Sequence, residues 1–105
     1  MPNNALTEAV FYILLSLTKP MHGYGIMQNT EALSSGRVKL APGTLYGALN
    51  TLLEKGWITA IADGNEDSRK KEYLITDLGK QVAHAELLRL KELYENGNKI
   101  LEEEK

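Results

Sequence analysis

Apolar residues recur at helical spacing between Ala41 and Gly56, and this pattern predicts an amphipathic helix. Pro42 suits the first helical position because its ring fixes φ, and Gly56 suits the end of a helix. The leucines of the stretch recur at i, i+4, i+7 and i+8 and therefore share one face: Leu45, Leu49, Leu52 and Leu53. We expect this face to be buried.

The opposite face of the predicted helix is small and polar. It carries Gly43, Thr44, Gly47, Asn50, Thr51 and Glu54, with Lys55 on its flank. Small side chains allow another surface to approach closely, which is typical of a recognition helix. An ordinary solvated face of an amphipathic helix has the same composition, so this stretch alone leaves both interpretations open.

Residues 57–62 are rich in aromatic and β-branched side chains and predict a strand. A cluster of turn-forming residues follows at 63–68, and residues 72–76 predict a return strand. Arg69, Lys70 and Lys71 lie between the turn and the return strand. The segment predicts a β-hairpin with a basic cluster at the base of its tip. A solvated run of charges is the alternative interpretation of that cluster.

Two further helices are predicted before the leucine-rich one. Residues 4–17 form the first, with Asn4 or Thr7 as its cap, and its apolar residues cover most of the circumference. A helix of this kind needs cover from a second chain or a long helix. After a loop, residues 24–33 form the second helix, with Ile26, Met27, Thr30 and Leu33 inside, and residues 37–40 form a short extended piece. Two helices with a short connection match a helix-turn-helix.

A final helix is predicted from Thr76 or Asp77 onward. Its apolar residues step by four and three and form a heptad seam: Ala83, Leu87, Leu90, Tyr94, Gly97 and Leu101. A domain of this size cannot cover so long a helix, so we interpret it as a dimerisation helix; a helix folded back on its own core is the alternative. We expect it to be weakest at Gly97. The chain then divides into residues 1–76 and 77–105.

The composition suits one cytoplasmic domain of 105 residues, with 43% hydrophobic and 25% charged side chains. The sequence contains no cysteine, which excludes disulfides and thiolate metal sites. The apolar run 9–17 is about half the ~20 residues that cross a bilayer, so no membrane segment is expected. The net charge is −2, and DNA binding would therefore need local basic clusters.

The sequence offers no convergent catalytic set. His22 and His84 lie far apart, and neither is followed by a paired carboxylate or another metal ligand at a suitable spacing. No phosphate-binding glycine loop or nucleophile–base pair is recognisable. We therefore expect neither an enzyme nor a metal or cofactor site.

Four motifs of the chain resemble the PadR family of transcriptional regulators. They are Met21-His22-Gly23-Tyr24-Gly25, Pro42-Gly43-Thr44-Leu45-Tyr46 with Leu49 and Leu52, Glu54-Lys55-Gly56-Trp57-Ile58, and the segment from Arg69 to Gly79. The resemblance spans residues 5–80, and the single last helix is similar to that of short-tailed members. It implies a mainly α winged helix-turn-helix with a small β-hairpin, which as a homodimer binds an inverted-repeat operator, usually as a repressor. Some members release DNA when an aromatic or drug-like effector binds.

The resemblance and the residue types together suggest the contacts with DNA. Thr44, Asn50 and Thr51 are candidates for base edges, since asparagine pairs with adenine and a threonine methyl with that of thymine. Gly43 would allow close approach. The candidates for phosphate are Tyr24, Tyr46, Lys55, Arg69, Lys70 and Lys71, with Arg37 and Lys39 weaker. Structural tyrosines and solvent-exposed polar residues are the alternative.

Three positions depart from the family pattern. Ala41 stands where a hydroxyl cap is common, and Gly47 replaces a larger residue. The only tryptophan is Trp57, on the predicted wing, whereas some drug-binding members carry one on the last helix. A winged-helix module that binds protein instead of DNA is the alternative function, supported by the acidic net charge and opposed by the basic wing.

Overall fold

The computed structural model describes residues 5–61 and 71–103. Within these ranges the chain forms four helices: α1 (Glu8–Ser16), α2 (Gly23–Leu33), α3 (Pro42–Lys55) and α4 (Asp77–Glu103). It also forms three strands: β1 (Met21–His22), β2 (Ile58–Ile61) and β3 (Glu72–Ile75). The predicted mainly α fold with a small hairpin is confirmed.

The sheet is antiparallel, in the order β1-β3-β2. Strands β2 and β3 form the predicted hairpin, in a register that pairs Ile58 with Ile75 and Ile61 with Glu72. Strand β1 corrects the prediction of a loop at residues 21–22, since it pairs Met21 with Tyr73. Two residues are too few to show an alternating pattern in sequence. The extended piece predicted at residues 37–40 does not join the described sheet.

The core lies between the first three helices and one face of the sheet. Its fully or nearly fully buried apolar residues are Ile13, Leu14, Leu17, Ile26, Leu45, Leu49, Leu52, Ile58, Tyr73, Ile75 and Ala83. The inward leucine face of α3 is thereby confirmed, with Leu53 only half-buried. The inward position predicted for Leu33 is wrong: its side chain is 44% exposed at the last turn of α2.

Helix α1 begins later than predicted because its cap is Thr7. The Thr7 hydroxyl accepts a hydrogen bond from the Val10 N–H at 3.1 Å, which satisfies one donor of the first turn. Asn4, the other candidate cap, lies outside the described residues. Helix α1 packs against α2 and α4, so a long helix of the same chain supplies part of the cover that its apolar surface requires.

The connection between α2 and α3 is organised by Ser34, which is fully buried. Its hydroxyl donates to the Glu31 carbonyl at 3.1 Å and accepts from the Val38 N–H at 2.8 Å. Helix α3 then starts at Pro42 after Ala41, whose side chain provides no cap, as expected from its missing hydroxyl. Gly56 ends α3 with a φ of 75°, a left-handed conformation that glycine adopts without strain.

Helix α4 is a continuous helix of 27 residues, about 40 Å long at 1.5 Å per residue. It passes through Gly97 to Glu103, so the weak point expected there does not end it. The prediction that Ala83 belongs to the exposed seam is wrong, because Ala83 is 8% exposed and packs in the chain's own core. The first turns of α4 therefore pack against the chain's own domain, as in the alternative interpretation of this helix.

Glu86 is a buried carboxylate of α4 that pairs with Arg89 on the same helix. Its carboxylate, in a residue that is 4% exposed, accepts from Arg89 Nε at 2.8 Å and from Arg89 Nη2 at 2.7 Å. These hydrogen bonds hold the pKa of Glu86 below its usual value, and burial, which opposes them, is outweighed. The nearby backbone of Leu6 also lowers the pKa. The charge of this buried carboxylate is thus compensated.

The start of α4 rests directly on the backbone that follows α3. The Thr76 hydroxyl donates to the Gly56 carbonyl at 2.6 Å and accepts from the Gly79 N–H at 3.0 Å, so Thr76 caps α4 and holds it to the end of α3. Gly79 lies so close to Trp57 that a Cβ at this position would overlap the Trp57 carbonyl. The same Cβ would lie 2.8 Å from the side chain of Ile75. Only glycine permits this contact.

We expect Gly79→Ala to destabilise the fold by about 1–3 kcal/mol, because the added methyl forces apart the backbones of Trp57 and α4. Gly47→Ala is the matched control: nothing lies within 4 Å of a Cβ there, so this change should stabilise α3 by about 0.5–1 kcal/mol. Urea unfolding followed by circular dichroism measures both. Equal stability of the two variants would contradict the close contact.

Candidate nucleic-acid interface

The outer face of α3 is a continuous exposed surface. Burial of its leucine row turns the small polar side outward, and every residue of that side is exposed: Gly43, Thr44, Tyr46, Gly47, Asn50, Thr51, Glu54 and Lys55. Of the ten predicted DNA-contact residues, six lie on this face of α3, and Tyr24 on α2 is exposed as well. Helix α3 therefore brings most of the predicted site together on one surface.

Thr51 has a restricted role on this surface. Its hydroxyl donates to the Gly47 carbonyl one turn earlier at 3.2 Å, which uses the only proton that the side chain can donate. The methyl group and the oxygen lone pairs remain available. Thr51 is thus suited to an apolar contact such as that with a thymine methyl.

Tyr46 lies where α3 crosses the start of α2. A Cβ on Gly23 would be 2.9 Å from a ring carbon of Tyr46, so the ring occupies the space that glycine leaves open. Burial raises the pKa of the neighbouring Tyr73, and Tyr46 adds to the effect. Tyr46 is 43% exposed, and Tyr24, the second residue of α2, is 67% exposed. Two exposed tyrosines, one on each helix, therefore lie near the N-terminus of α2.

Lys55 and Trp57 form a pair that the sequence analysis did not identify. The Lys55 ammonium lies 4.9 Å from the centroid of the Trp57 ring, a cation–π geometry. The turn at Gly56 brings the two side chains together, and the Lys-Gly-Trp spacing after a helix was the available signal. Lys55, at the end of α3, is therefore in contact with Trp57, the first residue after the turn.

The predicted wing is described only at its base. Arg69 and Lys70 lie outside the described residues, whereas Lys71 is exposed at the start of β3. Strand β1 meets this base: Nδ1 of His22 lies 3.4 Å from the Lys71 carbonyl oxygen, and Nε2 lies 3.7 Å from Glu72. The base of the hairpin therefore lies beside the N-terminus of α2.

The two weaker phosphate candidates differ. Arg37 forms a short ion pair with Glu8 of α1, with Nη1 2.7 Å from Oε2, and this interaction raises the pKa of the guanidinium. Arg37 is therefore paired within the chain, although its side chain is 63% exposed. Lys39 is exposed.

From Leu87 onward, α4 exposes a wide apolar stripe. Of the predicted seam, Leu87, Leu90, Tyr94 and Leu101 are exposed in the single chain. Leu93 and Ile100, which the heptad analysis did not include, are exposed as well and lie beside the seam. We call this set of six residues the α4 stripe. The described residues of one chain leave this stripe uncovered.

A groove of about 870 Å³ separates α3 from the start of α1 and of α4. Apolar side chains form most of its wall: Leu6, Val10, Ala48, Leu52, Trp57, Leu78, Val82 and Ala85. Lys55 and Thr51 line its edge and belong to the outer face of α3 as well. The groove therefore adjoins the candidate interface.

Residues 5–61 and 71–103 contain no cluster of three or more potential metal ligands. No helix among them combines the length and hydropathy that a membrane span requires.

Comparisons with known proteins agree with this geometry. The model of the transcriptional regulator PadR-like family matches residues 11–85. No curated protein matches the chain.

Solved structures show the same architecture. A PadR family transcriptional regulator from Eggerthella lenta is 26% identical, with 89% of this chain and 80% of that one covered and a TM-score of 0.71. A PadR-like transcription factor from Bacteroides fragilis is 25% identical over 88% of this chain and 87% of that one, with a TM-score of 0.69. A transcriptional regulator from Clostridium thermocellum is similar in fold, with 22% identity, coverage of 89% and 90%, and a TM-score of 0.70.

Proposed function

The chain belongs to the PadR-like family of transcriptional regulators, and we propose that it represses transcription by binding an inverted-repeat operator as a cytoplasmic homodimer. Its family is one of regulators rather than enzymes, in agreement with the sequence analysis. The observation that carries the proposal is the outer face of α3, which is exposed, small and polar along its whole length.

This face suits the major groove of DNA. The groove is about 12 Å wide and accepts an α-helix, whose diameter with side chains is about 10–12 Å. Gly43 and Gly47 carry no side chain, so they reduce the width of α3 on the side that would enter the groove. Nothing lies within 4 Å of a Cβ built at either position. Thr44, Asn50 and Thr51 then face the base edges, with Asn50 able to make two hydrogen bonds to adenine.

Basic and phenolic groups around this face would hold the phosphates. Lys55 lies at the end of α3 and Lys71 at the base of the wing. Tyr24 lies in the first turn of α2, and Tyr46 lies on α3 where that helix meets this turn. Arg69 and Lys70 extend the basic cluster along the sequence. Each phosphate neutralised releases counterions and contributes about 0.9 to the slope of log K against log salt. A chain with a net charge of −2 would bind DNA in this way through local basic groups rather than through its overall charge.

Asn50→Ala should weaken binding to the operator by about 1–3 kcal/mol and leave binding to unrelated DNA unchanged, because it removes a base contact. Arg69→Ala with Lys70→Ala should instead weaken binding to both DNAs and reduce the salt slope by up to about two. Fluorescence anisotropy across a salt series measures both effects.

The matched control is Lys91→Ala with Lys99→Ala, which removes the same charge from exposed positions on α4. An unchanged salt slope in the Arg69 and Lys70 variant would exclude the wing from the DNA contacts. No DNA binding by the unmutated chain even at low salt would favour the protein-interaction module.

The α4 stripe supports the proposed homodimer. It consists of large apolar side chains on a helix that extends past its own domain, and such patches mark interaction sites. The side chains recur at heptad spacing, which suits a helical partner with the same pattern. A second copy supplies that pattern, and a two-fold dimer would match an inverted-repeat operator. Leu93 and Ile100 widen the stripe beyond a two-helix seam.

Leu101→Glu should weaken dimerisation tenfold or more, because each copy would place a carboxylate in an apolar contact. Leu88→Glu is the matched control: Leu88 and Leu101 are each 67% exposed in the single chain, but Leu88 lies on the other side of α4. Analytical ultracentrifugation measures both constants. Similar dissociation of the two variants would mean that the stripe is not the interface.

The groove beside α3 supports the further proposal of a small aromatic effector. Its wall is mainly apolar, and a flat ligand there would contact Lys55 and Thr51 from behind the DNA-binding face. Such a ligand would release DNA only if it bound the DNA-free chain more tightly than the DNA-bound chain.

A panel of aromatic compounds should include at least one that releases labelled DNA from the protein in the anisotropy assay. Ala85→Phe, which narrows the groove away from the DNA-binding face, should abolish this release and leave DNA affinity within twofold. Retained release in that variant would place the effector elsewhere, and no active compound would favour a constitutive repressor.

A further inference from the structure

The Lys55–Trp57 pair has a consequence for how the protein holds DNA. We infer that Trp57 is a positioning residue of the DNA-binding surface, whose indole ring holds the Lys55 ammonium in place for a backbone phosphate. This inference rests on the proposed DNA-binding function. Nothing in the sequence motifs assigns such a role to Trp57.

The first support is the geometry of the pair. The ammonium stands 4.9 Å from the ring centroid, within the ~6 Å over which a cation–π attraction acts. A lysine side chain has four rotatable bonds and loses much rotational freedom when it binds a phosphate. An indole ring that already restricts this freedom reduces the loss, so the contact with phosphate forms at a lower entropic cost.

The chemistry allows both contacts at once. An ammonium group has three N–H donors and no acceptor. A ring on one side attracts the charge without consuming all of the donors, so the other side can donate to a phosphate oxygen. A carboxylate in place of the ring would neutralise the charge, as Glu8 does for Arg37. An aromatic partner therefore orders the lysine and preserves its charge for DNA.

The second support is that Trp57 is itself fixed. Its backbone N–H donates to the Leu52 carbonyl at 3.0 Å, and its backbone carbonyl accepts from the Thr76 N–H at 3.0 Å. Gly79 packs against the same carbonyl. The backbone of Trp57 is therefore anchored between the end of α3 and the start of α4, and its side chain is partly buried against the core. A freely moving tryptophan could not position a lysine.

The pair can be tested first without DNA. The ring current of Trp57 should shift the ¹H signals of the Lys55 side chain upfield in the unmutated protein, and Trp57→Leu should remove that shift. Circular dichroism and thermal unfolding establish that the variants are folded. Random-coil shifts for the Lys55 side chain in the unmutated protein would overturn the inference.

The second arm measures DNA affinity in a double-mutant cycle with Trp57→Leu and Lys55→Met. Trp57→Leu should weaken binding about two- to fivefold, and Trp57→Phe, which retains an aromatic face, should weaken it less. In the Lys55→Met background, Trp57→Leu should have no further effect. A purely structural tryptophan would weaken binding equally in both backgrounds, and that result would overturn the positioning role.

The two arms separate this inference from the proposed function. If the ring-current shift is present and the unmutated protein binds no DNA, the proposed function fails and the positioning role fails with it, while the pair itself stands. If DNA binds and the cycle shows no coupling between Lys55 and Trp57, the proposed function stands and only the positioning role is overturned.

Discussion

The contact of α4 with the backbone after α3 is the constraint on which the rest of the structure depends. Thr76 bonds to the Gly56 carbonyl, and Gly79 packs on the Trp57 carbonyl, so the end of α3 and the start of α4 are held as one unit. In the proposed dimer, α4 joins the two copies and α3 enters DNA. Successive major grooves on one face of DNA are about 34 Å apart, so the two copies of α3 must keep a defined separation. A loose contact here would lose that separation even if both helices were intact.

The sequence predicted the elements whose pattern is local. The leucine row of α3, its Pro42 start and its Gly56 end all follow from spacing and backbone preference, and each is confirmed. The polar face was predicted for the same reason, since burial of one side exposes the other. The capping role of Thr7 also followed from residue type.

Features that depend on distant partners could not be predicted in this way. Strand β1 exists because Met21 and His22 meet β3, about fifty residues later in the chain. Ala83 has the spacing of a seam residue, but its side chain packs in the core of the chain. Arg37 and Glu8 are 29 positions apart, and only the fold brings them within ion-pair distance. Local pattern specifies which face is apolar, whereas the chain's three-dimensional packing determines what covers that face.

The proposed function requires two copies of the chain to bind one DNA site through α3. Fluorescence anisotropy tests this with a labelled fragment of the protein's own upstream region, against a scrambled fragment, across a range of salt concentrations. We expect tight, selective and salt-sensitive binding that saturates at two chains per site. Saturation at one chain per site, or the same affinity for every fragment tested, including inverted repeats from other parts of the genome, would contradict it.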